Sequence, residues 1–317
     1  MSIRVQSPGL LSSVQDPGRI GYRHLGVGQA GVMDIYSSCV ANALVGNSSN
    51  AAVVEMTLNG PTLLFETSTR IAICGASIDV RLGEDVIPCW RRFDVPANST
   101  LTLGSCRKGA RAYLAVAGGF KVAEVLGSSS TDLRSGFGGL QGRILKAGDP
   151  LQLADNHTQN SERLFIDTRW VDPADDLDLD SPAVIRVLPG RDALTDPDTL
   201  FEPEWRVEAA SNRQGLRLSG PQLAVVSSGE RISEPVMPGT IQLPPDGQPI
   251  VLMADAQTHG GYPRIGHAIL ADQSRLAQLR PGERFRFVAC TPTEAHRALH
   301  EQHQRLTRIR IAMGCLI

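Results

Sequence analysis

The chain has 317 residues, a formal net charge of −2, 31 glycines and 20 prolines. That length accommodates two domains, and a near-neutral charge with no basic block argues against a nucleic-acid footprint. The glycine and proline content favours many turns and short strands over long helices.

The opening residues, MSIRVQSPG, hold no apolar stretch of the leader type, so a secretory leader is not expected. No run approaches the roughly 18 apolar residues that span a bilayer. Six cysteines, at 39, 74, 89, 106, 290 and 315, form no C-x-x-C pair. This spacing fits neither a zinc site nor a small disulfide scaffold, and predicts mostly buried thiols in a reducing cytoplasm.

Residues 13–22 (SVQDPGRIGY) are the first dense polar cluster. Asp16-Pro17-Gly18 predicts a turn. Gln15, Asp16, Arg19 and Tyr22 supply an amide, a carboxylate, a forked cation and a phenol. The carboxylate and the arginine can pair to fix the turn, or clamp a planar substrate carboxylate or amide. Residues 33–44 (MDIYSSCVANAL) predict a helix with Asp34 near its N-terminus, either as its cap or as a site residue alongside Asn42 and Glu55. Residues 128–132 and 137–143 make a Ser/Gly tract that ends in Arg143. It is expected as a flexible segment offering N–H groups and hydroxyls to an anion, or as a mobile surface loop.

An acidic joint follows, from Asp167 to Ser181, carrying Asp172, Asp175, Asp176, Asp178 and Asp180. It reads as a solvated linker or loop. The spacing lacks the central Gly and terminal Glu of an EF-hand calcium loop. The predicted organisation is a first β-barrel over 1–160, a linker over 161–182, a second β-barrel over 183–290, and a helix and tail over 291–317.

The stretch 233–262 is the most informative of the second half. Glu234, Gln242, Asp255, Gln257, Thr258, His259 and Tyr262 surround two apolar runs, 240–243 and 249–253, which predict short strands. Polar groups just past buried strands mark a site rim, and Gly260-Gly261 allows close backbone approach. The alternative is a polar strand end with a glycine turn. Residues 274–279 predict a short turn or helix. Thr291-Pro292-Thr293-Glu294 is a capping box with Pro at the first helical position, opening a helix to about Arg308. His296, His300 and His303 fall near one face of it, which at the end of a polar helix predicts solvation rather than metal binding.

The two β-rich blocks share an ordered series of local matches. Arg19-x-Gly21 with Gly26 is echoed by Arg213-x-Gly215 with Gly220. Asn59-Gly60 before an apolar run is echoed by Asp246-Gly247. Residues 145–153 (LKAGDPLQL) are echoed by 279–287 (LRPGERFRF). The order predicts two related barrels, a natural way to hide the edges of many short strands.

Motifs for several chemistries are absent. There is no Walker-type phosphate loop and no G-x-S-x-G elbow. His300-Glu-Gln-His303 has the wrong spacing for a zincin helix. No Met is followed by Lys, so the biotinyl-lysine signature is missing and no covalent biotin is expected on this chain.

Together these segments resemble the family known as allophanate hydrolase subunit 2, or biotin-dependent carboxyltransferase-like, which includes subunits of 5-oxoprolinase. The residues that carry it are 13–22, 31–34, 41–47, Glu55 with Asn59-Gly60-Pro61, Gly127-Ser128 with 137–143, 213–215, 233–235, 239–244 and 255–262. His259 departs from the pattern, which has a small residue before Gly-Gly-Tyr; this bears on local pocket shape. The resemblance implies a mainly β fold of two related cyclophilin-like β-barrel domains with few helices and a C-terminal helix. It also implies partner subunits A and B, and ATP-dependent cleavage of 5-oxo-L-proline to L-glutamate, with ATP used by the complex and the subunit that binds it, this chain or a partner, left open. Asp16, Glu234 and Asp255 are then candidate bases, and Arg19, Arg143 and Arg213 candidate anion partners. Gly260 and Gly261 are candidate backbone donors. Gln15, Tyr22, Asp34, Glu55, Gln242, Thr258 and Tyr262 complete the substrate-binding set, and no metal ligands are expected. The alternatives are a component of a urea carboxylase-like carboxyltransferase and a non-enzymatic antagonist of a kinase-inhibitor partner.

Overall fold

A computed structural model describes residues 2–154, 163–174, 176–226 and 232–315. The chain is mainly β, with four α-helices among the described residues: α1 (Ile35–Leu44), α2 (Asp198–Phe201), α3 (Gln273–Gln278) and α4 (Pro292–Ala312). It divides into two compact units. One comprises residues 1–19, 30–177 and 304–317, the other 20–29 and 178–303. The boundaries differ from the sequence expectation at both ends: ten N-terminal residues belong with the second unit, and the tail belongs with the first.

The first unit is a ten-stranded sheet. Its centre is the antiparallel pair Thr69–Leu82 and Ser99–Val116, whose register shifts between Gly75 and Ser77. Gly75 sits there at φ +101°, and a Cβ would meet the Arg111 carbonyl oxygen at 2.4 Å, so the irregularity requires glycine. Ile3, Val5, Val14, Met56, Phe65 and Leu114 share one apolar core. Removing such side chains from water supplies the main driving force for the unit. Helix α1 starts where expected. The Asp34 carboxylate accepts the Ser37 N–H at 2.9 Å, and Tyr36, Val40, Ala41 and Leu44 are buried.

The second unit is a closed barrel of seven strands. Their order is Ala183–Pro189, Arg264–Ala268, Thr240–Gln242, Ile250–Leu252, Gly215–Ser219, Glu204–Val207 and Arg284–Ala289, closed by parallel pairing of the first and last. Alternation along Arg284–Ala289 buries Phe285 and Phe287 and exposes Arg284 and Arg286. The two phenylalanine rings meet edge-on at 4.9 Å, and Trp205 lies 6.4 Å from Phe287. Outside the barrel, Glu234–Pro235 pairs with His259–Gly260.

One of the three sequence echoes has the same local structure in both units. Gly148 (φ +89°) and Gly282 (φ +91°) each donate their N–H to a strand carbonyl, Val5 at 2.7 Å and Val207 at 2.8 Å. The acidic residue after each glycine closes the turn, Asp149 on the Lys146 N–H at 2.7 Å and Glu283 on the Arg280 N–H at 2.9 Å. The other two echoes diverge. Gly21 is in a left-handed turn while Gly215 is in a strand, and only Gly247 of the second pair has positive φ.

Helix α4 opens on the expected capping box. Glu294 accepts the Thr291 N–H at 2.8 Å, and Thr291 Oγ1 accepts the Glu294 N–H at 3.2 Å. It runs to Ala312 rather than about Arg308. His296, His300 and His303 are exposed, and no group able to hold a metal occurs among the described residues. No described helix is long and apolar enough to cross a membrane.

The acidic joint is not uniformly solvated. Asp167 is buried and pairs with Arg92 at 2.7 Å and Arg169 at 2.8 Å. Asp176 is buried against Arg305 of α4. Asp172 and Asp178 fit the loop reading, each accepting backbone N–H groups of its own turn. Asp175 lies outside the described residues. All six cysteines are free, with Cys74 and Cys106 buried and the rest half-buried. Burial pushes the thiols of Cys39 and Cys89 up to about 11, so neither is a ready nucleophile.

Candidate functional site

In the first unit the residue 13–22 cluster folds onto the Ser/Gly tract. Asp16 Oδ1 accepts Gly18 N–H at 2.8 Å and the Ser128 hydroxyl at 2.6 Å, while Oδ2 accepts Ser129 N–H at 2.6 Å. Gln15 Nε2 donates to Ser13 Oγ at 2.9 Å and to the Thr131 carbonyl at 3.2 Å. Arg19 is fully buried. It donates to the Ser130 carbonyl, and its guanidinium lies 4.5 Å from the Phe137 ring centroid. A Cβ on Gly138 would strike that guanidinium, 2.1 Å from Nη2. The first part of the tract is therefore packed, with Ser128, Ser129, Ser130, Thr131 and Asp132 buried, and is not the mobile surface loop of one of the two readings; residues 137–143 are mostly half-buried. Asp16 has donors on both oxygens, and these bonds fix the turn.

A second buried set in this unit joins Asp34, Glu55 and Tyr113. Glu55 accepts Met33 N–H at 2.7 Å and the Tyr113 hydroxyl at 2.9 Å, and that hydroxyl accepts Asp34 N–H at 2.8 Å. Burial raises the Tyr113 phenol well above its ordinary value. Arg143 forms a two-pronged pair with Asp149, at 2.7 and 2.9 Å. The arginine holds that carboxyl below its usual range.

In the second unit, the barrel and the Glu234–Pro235/His259–Gly260 ladder border an open cavity of about 630 Å³. Its walls carry three arginines (23, 191, 264), three histidines (24, 259, 267), Thr240 and Thr258, over Pro235, Val236 and Met237. No carboxylate is among the lining residues. Glu234 stands beside them. It bonds Arg191 at 2.8 Å and also pairs with Arg264. Arg23 sits on a short 3₁₀ turn, Arg23–Leu25, and its Nη2 donates to the carbonyls of Val236 and, at 2.8 Å, Gln257. Burial lowers the pKa of both Arg23 and His267. The His267 imidazole is thus neutral at pH 7, with Nδ1 3.4 Å from the Thr240 hydroxyl. Three arginines line the cavity, and the one carboxylate beside it pairs with two of them, a charge balance that suits a small anion.

The candidate residues divide among several places. Glu234 and Thr258 are at the cavity. Gln242 is buried behind it, where a Cβ on Gly260 would lie 2.4 Å from its Nε2. Arg213 and Asp255 pair with each other, at 2.8 and 2.9 Å, and both are buried, so both oxygens of this candidate base are engaged. Gly261 and Tyr262 line a second cavity of about 470 Å³, with Leu243, Pro244 and Pro245. Tyr22 is half-buried and precedes the Arg23 turn. Gln15, Asp16, Arg19, Asp34, Glu55 and Arg143 belong to the first unit. Sequence reasoning missed Arg23, His24, Arg191, Arg264 and His267. Only Arg23 had a local signal, its position next to Tyr22 in a polar cluster.

The sequence and fold have known counterparts. The profile of the carboxyltransferase domain, subdomain A and B, matches residues 25–289. The chain is 38% identical over 307 residues to a 5-oxoprolinase subunit of Escherichia coli K12, covering 95% of this chain and 96% of that protein. It is 36% identical over 303 residues to the like-named 5-oxoprolinase subunit of Haemophilus influenzae, covering 94% of each. The crystal structure of Kluyveromyces lactis urea amidolyase matches with a TM-score of 0.86 at 30% identity, over 97% of this chain. This chain spans 20% of that enzyme. On these grounds the chain belongs to the carboxyltransferase domain family, subdomains A and B.

Proposed function

We propose that this chain is one subunit of an ATP-dependent 5-oxoprolinase that opens 5-oxo-L-proline to L-glutamate with partner subunits A and B, in the cytoplasm. The observation that carries the reading is the cation-lined cavity of the second unit, in a chain similar along nearly its whole length to two proteins named as subunits of 5-oxoprolinase. 5-Oxoproline is a small flat lactam bearing a carboxylate. A lactam is a poor electrophile, and transfer of a phosphoryl group from ATP to its oxygen makes the ring carbon open to water. Arginines around the cavity suit the substrate's carboxylate and the charge that develops on the lactam oxygen. His267, neutral because it is buried, is able to accept a proton.

Nucleotide binding is assigned to the complex. The sequence lacks a Walker-type phosphate loop. We therefore place the nucleotide at least partly on a partner subunit. Glu234 is assigned the positioning of Arg191 and Arg264. A carboxyltransferase role is the second reading, favoured by the structural match to urea amidolyase.

The deciding assay is ATP-dependent glutamate release from 5-oxoproline by the three mixed subunits, repeated with this chain omitted. Activity only in the full mixture supports the proposal. No glutamate, or no effect of omission, overturns it and moves the carboxybiotin-acceptor assay to the front.

A further inference from the structure

The arginines of the cavity are not equivalent. Arg191 and Arg264 share the Glu234 carboxylate, so their charge is partly met within the protein. Arg23 is held differently. Its guanidinium donates to two neutral acceptors, the carbonyls of Val236 and Gln257. Both bonds come from Nη2, and Nη1 is shielded from solvent without a hydrogen-bond partner. A half-buried guanidinium with no counter-ion among the described residues is costly to keep, and its charge is met when an anion enters. The mounting is rigid. The 3₁₀ turn is closed by Gly26 at φ +81°, whose N–H donates to the Arg23 carbonyl at 3.0 Å. The two carbonyl bonds then fix the plane of the guanidinium against the cavity wall.

We propose that Arg23 is the specificity-determining residue of this cavity, recognising the carboxylate of a small planar amide substrate and separating acids of the 5-oxoproline type from amides that lack a carboxylate. The identity of the ligand rests on the 5-oxoprolinase reading, but the role of Arg23 does not depend on turnover. A urea-type acceptor offers no carboxylate and would leave Arg23 without its counter-ion. A site built around polar groups penalises ligands that fail to pair them.

The test is equilibrium binding by calorimetry with the full chain in its reconstituted complex. The ligands are 5-oxo-L-proline, 5-oxoprolinamide, 2-pyrrolidinone and inorganic phosphate. The wild-type complex is expected to bind 5-oxoproline at least about tenfold more tightly than its two uncharged analogues. Arg23→Ala and Arg23→Gln should reduce that ratio to within about twofold, while Arg23→Lys keeps part of it. A purely structural Arg23 would weaken all ligands together and leave the ratio intact, which overturns the proposal. So does a wild-type complex that shows no preference for the carboxylate, or that prefers phosphate. If Arg23→Ala fails to fold, the ratios of the Gln and Lys variants decide. Glutamate release is read separately. Selective binding that depends on Arg23 without glutamate release sustains the anion site and removes the 5-oxoprolinase reading. Glutamate release with a ratio indifferent to Arg23 does the reverse.

Discussion

Arg213 and Asp255 meet as a two-pronged ion pair inside the second unit, Nε to Oδ2 at 2.8 Å and Nη2 to Oδ1 at 2.9 Å, and Asp255 N–H also donates to the Arg213 carbonyl at 2.9 Å. Both side chains are nearly inaccessible to water, at 6% and 5% exposure. Removing one partner takes the two-pronged ion pair away from a buried charge. Asp255→Ala is therefore expected to cost about 3–5 kcal/mol of stability, and the paired change Arg213→Met with Asp255→Leu markedly less. Denaturant unfolding midpoints of the three proteins check this. An Asp255→Ala protein as stable as wild type yet inactive would return Asp255 to the role of base.

Gly260 is pressed against a buried amide. It pairs with Glu234 across a two-residue ladder, and a Cβ there would lie 2.4 Å from Gln242 Nε2. Gln242 is 2% exposed and has little room to retreat. Gly260→Ala should cost about 1–3 kcal/mol through overpacking, and should loosen the strand that carries Glu234. Combining it with Gln242→Ala removes the clash and is expected to recover part of the loss. Thermal unfolding of both single variants and the double variant tests the coupling.

What could be read in advance was set by short-range chemistry. The Thr291/Glu294 capping box, the Asp34 cap and the alternation around Phe285 and Phe287 depend on residues within a few positions of one another. The Gly148 and Gly282 turns were legible for the same reason. The cavity was not. Arg23 is bonded to Val236, 213 positions away, and the Arg191–Glu234–Arg264 set is assembled by barrel closure. The Ser128–Ser130 segment reads as mobile because it is small and polar. It is packed because Asp16, more than a hundred residues earlier, accepts its hydroxyls and N–H groups. Asp176 reads as solvated for a similar reason, since nothing near it in sequence announces Arg305.

His267 gives a pH signature. Burial lowers its folded-state pKa below the ordinary 6.5. As pH falls, the unfolded chain takes up the proton first, so this group favours unfolding under acid conditions. Its contribution is fully preserved above pH 6.5 and is lost progressively between 6.5 and the lower folded value. His267→Asn should flatten the stability profile through that window and leave it parallel to wild type above pH 7. Denaturant melts at a series of pH values check the slope. Equal slopes in both proteins would mean that His267 is protonated as readily in the folded state as in the unfolded chain.

Glu234→Gln separates two roles for the candidate base beside the cavity. The carboxylate bonds Arg191 at 2.8 Å and also pairs with Arg264, while no acidic group is among the described residues that line the cavity. If its task is to position and partly neutralise those arginines, removing its charge leaves the cavity more positive. Affinity for 5-oxoproline and for phosphate should then rise about three- to tenfold at low ionic strength, and the gain should shrink with salt because the glutamate is partly exposed. Bound substrate would be held more tightly, so KM falls, and any decline in kcat stays within the same factor. If Glu234 instead takes a proton from the attacking water, kcat drops by about a hundredfold or more while substrate affinity barely moves. Measuring binding and turnover on the same variant at two salt concentrations distinguishes these outcomes.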